Sequence, residues 1–198
     1  MKYQNLHHHT TVSDGTLSYQ ESLEICRDNR IGVLAFTDHD SLPSKGAIRK
    51  LRRLNTEVNW ICGIEITSWL PKELNESPCG LFHIIGLFVN PFDKKLLSFC
   101  KKMQAARKKR IAKMIQNLNK LGFILTFGDC LKESRGELIN RLHLAKSLEK
   151  SNHNQKIISR FKAQIKEQAL KDPEISLKYR QTTSGGIRDD LFTLFPGL

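Results

Sequence analysis

The sequence lacks the features of several broad protein classes. No apolar run approaches the roughly eighteen residues of a membrane-spanning helix, so we expect no membrane span. No apolar leader precedes the histidine-rich stretch near the N-terminus, and we therefore expect a cytoplasmic protein. The five cysteines are odd in number and form no C-x-x-C pair, which argues against a disulfide framework or a zinc knuckle and favours reduced thiols.

Acidic residues are scarce in the later part of the chain. The formal net charge of the 198 residues is +12. Residues 1–65 hold eight basic and eight acidic residues, so the whole excess lies in residues 66–198. Between Lys101 and Lys120 there are eight Lys or Arg and no Asp or Glu. A basic second part favours an anionic partner such as phosphate or nucleic acid, and charge that serves solubility alone is the alternative.

A histidine-rich stretch, residues 7–15, is the most informative feature. His7 and His9 are two residues apart at the end of an extended segment, so their side chains share one face. Asp14 follows in a Ser-Asp-Gly turn that can return a carboxylate oxygen to the same point. Imidazole and carboxylate ligands suit zinc, manganese or iron. A surface turn that is merely rich in histidine is the alternative.

The following segments alternate between strand and helix. Ser18 and Glu21 form a capping-box pattern, which predicts a helix from Tyr19. The predicted elements are strands at 3–6, 33–36, 58–64 and 81–89, with helices at 19–29 and 44–54 between the first three strands. The first five of these elements form a βαβαβ unit, which predicts a parallel sheet with right-handed crossovers.

Four polar residues then follow the predicted strands. His7, His9, His39 and Glu65 would lie at the C-terminal ends of three successive strands, and in α/β barrels that edge carries the active site. The sequence therefore predicts a metal centre there. His83 interrupts a fourth apolar strand. A lone histidine in such a strand is usually a core residue, but the neighbouring candidate ligands favour a ligand role here.

The character of the chain changes at Asp93. Residues 101–120 carry an apolar stripe at helical spacing, and helices are also predicted at 138–150 and 157–170. The sequence therefore divides into an α/β part (1–92), a basic helical part (93–150) and a tail (151–198). The basic face of the helix predicted at 101–120 either faces solvent alone or binds phosphate.

Four motifs match those of a known family in order and spacing. The family patterns are D-L-H-x-H-T-x-x-S-D-G, T-D-H-D, G-[IV]-E and H-[IL]-[IL]-G, and the matching segments here are 5–15, 37–40, 63–65 and 83–86. Over residues 3 to about 150 the chain resembles the PHP (polymerase and histidinol phosphatase) metal-dependent phosphoesterases. It looks most similar to the branch that acts on 3′,5′-nucleoside bisphosphates and on the 5′ ends of RNA.

The resemblance implies an α/β fold, an incomplete, distorted (β/α)7 barrel with an inserted helical lobe over the metal edge. It implies divalent metal ions, manganese first, with zinc or iron as alternatives. The implied metal ligands are His7, His9, Asp14, His39, Glu65 and His83, all but the last also assigned to catalysis. The implied phosphate-binding residues are Arg110, Arg141 and His143. The family's R-P-H segment has Leu142 in place of proline here.

The chain departs from the family pattern in two respects. Asn5 replaces an aspartate that would orient a ligand histidine, so we expect weaker metal binding. The sequence also contains neither the A-H-P segment nor the C-terminal D-x-H that supply further ligands in the family. We therefore expect a truncated chain of weak activity, or one whose barrel is completed by a partner chain or a second copy.

These patterns leave three functions open. The first is metal-dependent hydrolysis of nucleoside 3′,5′-bisphosphates or of 5′ nucleotides from RNA, with a nucleotide or RNA as the partner. The second is a non-catalytic remnant that binds metal weakly or binds nucleic acid through its basic helix. The third is a phosphatase for another small phosphate ester such as histidinol phosphate.

Overall fold

The computed structural model of the chain describes residues 3–69, 81–134 and 138–171. The strands are β1 (Tyr3–His8), β2 (Ile31–Phe36), β3 (Asn59–Trp69) and β4 (Leu81–Leu87); the helices are α1 (Tyr19–Asp28), α2 (Lys45–Leu51), α3 (Lys94–Lys120), α4 (Phe127–Glu133), α5 (Arg141–Glu149) and α6 (Asn152–Lys171). These residues divide into two compact units, with the boundary after Arg107 and with Leu138 assigned to the first unit. None of the described helices is long and apolar enough to cross a membrane.

The sheet of the first unit has the order β1-β2-β3-β4. The first three strands are parallel, as the βαβαβ pattern predicts, whereas β4 runs antiparallel to β3. Strand β3 pairs with β2 over Asn59–Cys62 and with β4 from Gly63 to Trp69. Because β4 supplies new backbone partners where β2 ends, β3 continues, and the prediction that this strand stops at Ile64 is wrong.

Helices α1 and α2 cover one face of this sheet through a small apolar core. The core residues are Leu23 and Cys26 of α1, Leu34 and Phe36 of β2, and Leu51 and Val58. The predicted capping box is confirmed, since Ser18 Oγ accepts the Glu21 N–H and Glu21 accepts the Ser18 N–H. Such a cap is worth about 1 kcal/mol of stability.

The helices that follow the sheet differ in part from prediction. Helix α3 begins at Lys94 rather than 101, because Asp93 Oδ1 accepts the Leu96 N–H at 2.8 Å and caps the first turn. Helix α4 is not predicted, although Thr126 and Asp129 form its capping box. Helix α6 begins at Asn152, five residues before the predicted start. Most of the predicted tail, residues 172–198, lies outside the described residues.

The second unit has a core of its own. The apolar side of the C-terminal half of α3 packs with α4, α5 and α6 in one cluster. Its buried residues include Ile111, Met114, Ile115, Leu118, Phe123, Leu125, Cys130, Leu144, Leu148 and Ile158. The stripe predicted on the basic helix is therefore a core face in this part of the chain.

Candidate metal centre

The end of β1 is fixed by hydrogen bonds to the end of β2. The Thr37 N–H donates to the His8 carbonyl at 2.8 Å, and the His8 N–H donates to Thr37 Oγ1 at 3.0 Å. The odd-numbered His7 and His9 therefore leave the strand on the face opposite to His8. The His8 ring instead contacts Ser22 Oγ of α1 at 2.8 Å, and its burial lowers its pKa.

The loop after β1 returns Asp14 to His9. The Gly15 N–H donates to the Thr10 carbonyl at 2.9 Å, which closes a tight turn. A Cβ atom on Gly15 would overlap the His9 carbonyl, so the turn requires glycine. His9 Nδ1 and Asp14 Oδ1 lie 2.5 Å apart as a result.

His39 and Glu65 are neighbours because the segment after β2 continues to pair with β3. The two residues form an isolated parallel bridge. The Asp40 N–H donates to the Glu65 carbonyl at 2.8 Å, and the Glu65 N–H donates to the Asp38 carbonyl at 3.2 Å. Glu65 thus lies within β3, just beyond its parallel pairing with β2, and its predicted position at the end of the strand is wrong.

The antiparallel register of β3 and β4 brings His83 to the same face. Glu65 lies opposite Ile85, and Thr67 lies opposite His83. Residues two apart on a strand share a face, so His83 and Glu65 are diagonal neighbours on one face. His83 Nδ1 is 2.8 Å from Glu65 Oε1, and the side chain is not part of the apolar core.

Glu65 is the centre of the resulting cluster. Its side chain is only 5% exposed. Oε2 lies 3.3 Å from His7 Nε2, 2.7 Å from His9 Nε2 and 3.1 Å from His39 Nδ1. The donor atoms form three overlapping groups, each within 4.8 Å: His7-His9-Glu65, His9-Asp14-His39 and His39-Glu65-His83.

The donor set and its spacing fit divalent metal ions. Imidazole nitrogens and carboxylate oxygens are ligands for zinc, manganese and iron. Ligand atoms bound at about 2.0–2.2 Å to one ion lie about 2.9–3.5 Å from each other, close to the separations here. His39 Nδ1 is buried and, despite its distance to Glu65, forms no hydrogen bond. An ion would satisfy this nitrogen.

The titration of His9 and Asp14 reflects their contact. Burial acts to lower the pKa of His9, but the hydrogen bond and the charge of Asp14 outweigh it, and the pKa is raised. Burial acts to raise the pKa of Asp14, but hydrogen bonds with His39 and His9 hold it well below its usual range. Without an ion, the protein therefore favours a charged pair at this point.

Sequence reasoning missed Asp38, which is hydrogen-bonded to the loop that carries two of the candidate ligands. Asp38 is 1% exposed and accepts hydrogen bonds from the Thr10 N–H and Oγ1, both at 2.8 Å, from Ser13 Oγ at 2.6 Å and from Tyr19 OH at 3.3 Å. These bonds hold the loop that carries His9 and Asp14. The signal in the sequence was its place beside His39 in Thr-Asp-His-Asp.

The three predicted phosphate-binding residues belong to the second unit. Arg110 lies on α3 and Arg141 begins α5, and both are exposed. His143 is buried, and its Nδ1 accepts the Asn140 N–H at 3.2 Å in the capping box of α5. The phosphate-binding role of these residues stays a prediction.

The chain is similar to several known proteins. Over 146 residues the chain is 30% identical to the 5′-3′ exoribonuclease Rnm of Salmonella typhimurium, a match that covers 73% of this chain and 47% of the relative. It is 27% identical over 148 residues to the 3′,5′-nucleoside bisphosphate phosphatase of Chromobacterium violaceum. This match covers 73% of this chain and 48% of the relative. A solved structure described as a metal-dependent phosphoesterase, from Bifidobacterium adolescentis, matches with a TM-score of 0.59 at 25% identity and covers 74% of this chain and 49% of the neighbour.

These relatives and this phosphoesterase neighbour support the resemblance to the PHP-type metal-dependent phosphoesterases. No family model matches the chain. The chain spans about half the length of the curated relatives that it matches. The mixed α/β fold is shared with the phosphoesterase neighbour. Closure of a seven-stranded barrel stays a prediction, because the described residues form four strands of one sheet.

Proposed function

We propose that this chain uses the cluster around Glu65 to hydrolyse phosphate esters of nucleotides with divalent metal ions. The substrates proposed are nucleoside 3′,5′-bisphosphates or the 5′ ends of RNA, and manganese is the ion proposed first. The names of the two relatives support this substrate class, since one is an exoribonuclease and the other a bisphosphate phosphatase. A partner chain or a second copy that completes the barrel remains part of this proposal.

One observation carries the proposal. Four imidazoles and two carboxylates converge, and the donor atoms of neighbouring members lie within 4.8 Å of one another. When bound, divalent ions supply Lewis-acid polarisation of a phosphoryl group and a lower pKa for an attacking water.

The chain's own residues have distinct tasks in this account. Glu65, which is shared by two of the three groups, would fix the relative position of the ions. Asp14 holds His9 by its Nδ1, which leaves Nε2 to face Glu65. Arg110 and Arg141 would neutralise charge on the phosphate, as guanidinium groups do, and His143 would donate from Nε2 because its Nδ1 accepts the Asn140 N–H.

A phosphate-release assay tests the proposal. The chain is freed of metal, supplied with manganese and given a nucleoside 3′,5′-bisphosphate. The variants are His9→Ala, in the cluster, and His153→Ala, an exposed histidine that contacts the Gly122 carbonyl in the second unit. We expect release by the wild type and by His153→Ala, and loss of at least about 100-fold in His9→Ala. Equal background rates in all three proteins would refute the proposal.

The same assay tests whether the chain is instead a phosphatase for another small phosphate ester. Histidinol phosphate, supplied at the same concentration, tests a substrate without a nucleobase. We expect slower release from it than from the bisphosphate, because the substrate class follows that of the two named relatives. Faster release would replace the nucleotide assignment while leaving the metal centre in place.

A further inference from the structure

A cavity lies in the first unit, outside the metal cluster. It has a volume of about 490 Å³ and is lined by Lys45, Ile48, Arg49, Arg52, Arg53 and Phe92. We call it the α2 cavity, because helix α2 and the residues directly after it supply all but one of these side chains. Its volume is in the range of sites that hold small molecules or single nucleotides.

The α2 cavity is strongly cationic. Four of its six lining residues are Lys or Arg, and no acidic residue lines it. Within the described part of the chain, none of these four cations forms an ion pair, whereas Arg27, Lys150 and Lys171 each pair with a carboxylate. Like charges that converge without counter-charges favour the binding of an anion.

An aromatic ring lies among these cations. Phe92 is 41% exposed, and Lys45 Nζ lies 5.9 Å from the centre of its ring. The turn that carries the ring is fixed, because the Phe92 N–H donates to Asn90 Oδ1 at 3.0 Å and the Asp93 N–H donates to the Asn90 carbonyl at 3.1 Å. An exposed ring on a fixed turn offers a flat apolar face that a phosphate alone would not use.

Cations around an exposed aromatic ring match one ligand chemistry best. Proteins bind single-stranded nucleic acid by combining a cationic surface for the backbone with aromatic side chains on which bases stack. An acidic peptide would use the arginines but would leave the ring without a stacking partner. We propose that the α2 cavity binds single-stranded nucleic acid, with a base on Phe92 and the backbone phosphates on Arg49, Arg52 and Arg53.

This inference goes beyond the proposed hydrolysis, because binding at the α2 cavity requires neither metal nor turnover. Helix α2 follows closely on the turn that carries His39, with its N-cap at Ser44. The residues that line the α2 cavity belong to the same compact unit as the metal cluster, so a polynucleotide bound there would be bound by that unit. The cavity would thus give the chain a preference for polynucleotides over mononucleotides.

Fluorescence anisotropy with a labelled ten-nucleotide single strand tests the inference, in chelator so that no metal is bound. The charge variant is Arg49→Ala with Arg52→Ala, and its matched control is Lys156→Ala with Lys166→Ala, two exposed lysines of α6. All four side chains are exposed, so the fold should survive, and circular dichroism verifies this. We expect the arginine pair to weaken binding at least about 10-fold and to reduce the salt slope by roughly 1.4, and the lysine pair to change affinity less than about 2-fold.

The ring is tested separately from the charge. Phe92→Ala should weaken binding about 10-fold with an unchanged salt slope, because it removes stacking and no cation. Phe92→Trp should restore the affinity. The measurements are made with an RNA strand and with a DNA strand of the same sequence. A lower affinity of Phe92→Ala than of the wild type for either strand supports the proposal.

Three outcomes would overturn the inference. One is the absence of strand binding, and another is an equal loss in the arginine and lysine pairs. The third is an unaffected Phe92→Ala together with full competition by polyglutamate or by anionic vesicles, which would assign the surface to an acidic protein or a membrane. Phosphate release by the wild type is judged independently, so failure of hydrolysis with intact strand binding refutes only the proposed function.

Discussion

Arg107 Nη2 donates a hydrogen bond to Asp40 Oδ2 at 2.6 Å, and both side chains are largely withdrawn from solvent. The other Asp40 oxygen accepts the Thr67 N–H at 2.9 Å, and Gln104 donates to the Asp40 carbonyl at 3.3 Å. This ion pair therefore joins the turn after His39, strand β3 and the first half of α3. Asp40 also has a φ of 48°, which its hydrogen bonds help to maintain.

Arg107→Met should destabilise the protein by about 3–5 kcal/mol, because it leaves the buried carboxylate of Asp40 without a counter-charge. Urea unfolding measures the difference, and Lys109→Met, at an exposed position of the same helix, is the control. Adding Asp40→Asn to Arg107→Met should recover part of the loss. A cost below about 1 kcal/mol for Arg107→Met would contradict the structural role of the pair.

Asp38→Asn should weaken manganese binding about 10- to 100-fold without removing a ligand. The amide removes the negative charge that the Thr10 and Ser13 donors share, and its nitrogen must reverse the bond with the Thr10 hydroxyl, so the loop carrying His9 is held less firmly. Isothermal titration with manganese measures the affinity. Asp28→Asn, an exposed position on α1, makes the same chemical change and should have no effect; equal affinities for both variants would refute the positioning role.

Asn5→Asp should tighten manganese binding by up to about 10-fold. Asn5 Oδ1 accepts the His7 N–H at 3.2 Å, a bond that a carboxylate can keep while it adds negative charge beside the ligands. The control is Asn55→Asp, which adds the same charge at an exposed position elsewhere in the first unit. Weaker binding by Asn5→Asp than by the wild type would show that the family's aspartate is not interchangeable with Asn5 in this chain.

Asp129 should contribute to stability in a pH-dependent manner. Its hydrogen bonds with Thr126 at the start of α4 lower its pKa, so its contribution is complete above the unfolded-state pKa of about 3.9 and disappears as the pH falls through the lower folded-state value. Urea unfolding at pH 7 and at pH 3 should show a larger loss of stability for Asp129→Asn, relative to the wild type, at pH 7 than at pH 3. Thr126→Ala, which removes the cap itself, should cost about 1 kcal/mol at pH 7 and less at pH 3, because it also removes the bonds that lower the pKa of Asp129. An Asp129→Asn difference that is the same at pH 3 would contradict this account.

The sequence predicted the order of the first elements and the convergence of His7, His9, His39 and Glu65, although it placed Glu65 at the end of its strand. Local signals suffice for these features: Ser18 and Glu21 mark the start of α1, and the short apolar runs mark β1 to β3. The length of β3 could not be predicted, because this strand continues to Trp69 through pairing with β4, which is distant in the chain. Asp38 and Arg107 were missed for a related reason. A buried carboxylate and its partner are distant in the chain, and spacing alone does not reveal that Asp40 and Arg107 meet.

The proposed function requires that Glu65 and the surrounding histidines form a metal site. The most direct test is isothermal titration of the metal-free chain with manganese, for the wild type, Glu65→Gln and His153→Ala. Glu65→Gln keeps the shape of the side chain but removes the charge shared by two groups of donors. We predict saturable binding by the wild type and by His153→Ala, and an affinity at least about 100-fold lower in Glu65→Gln. The same affinity in all three proteins would contradict the account.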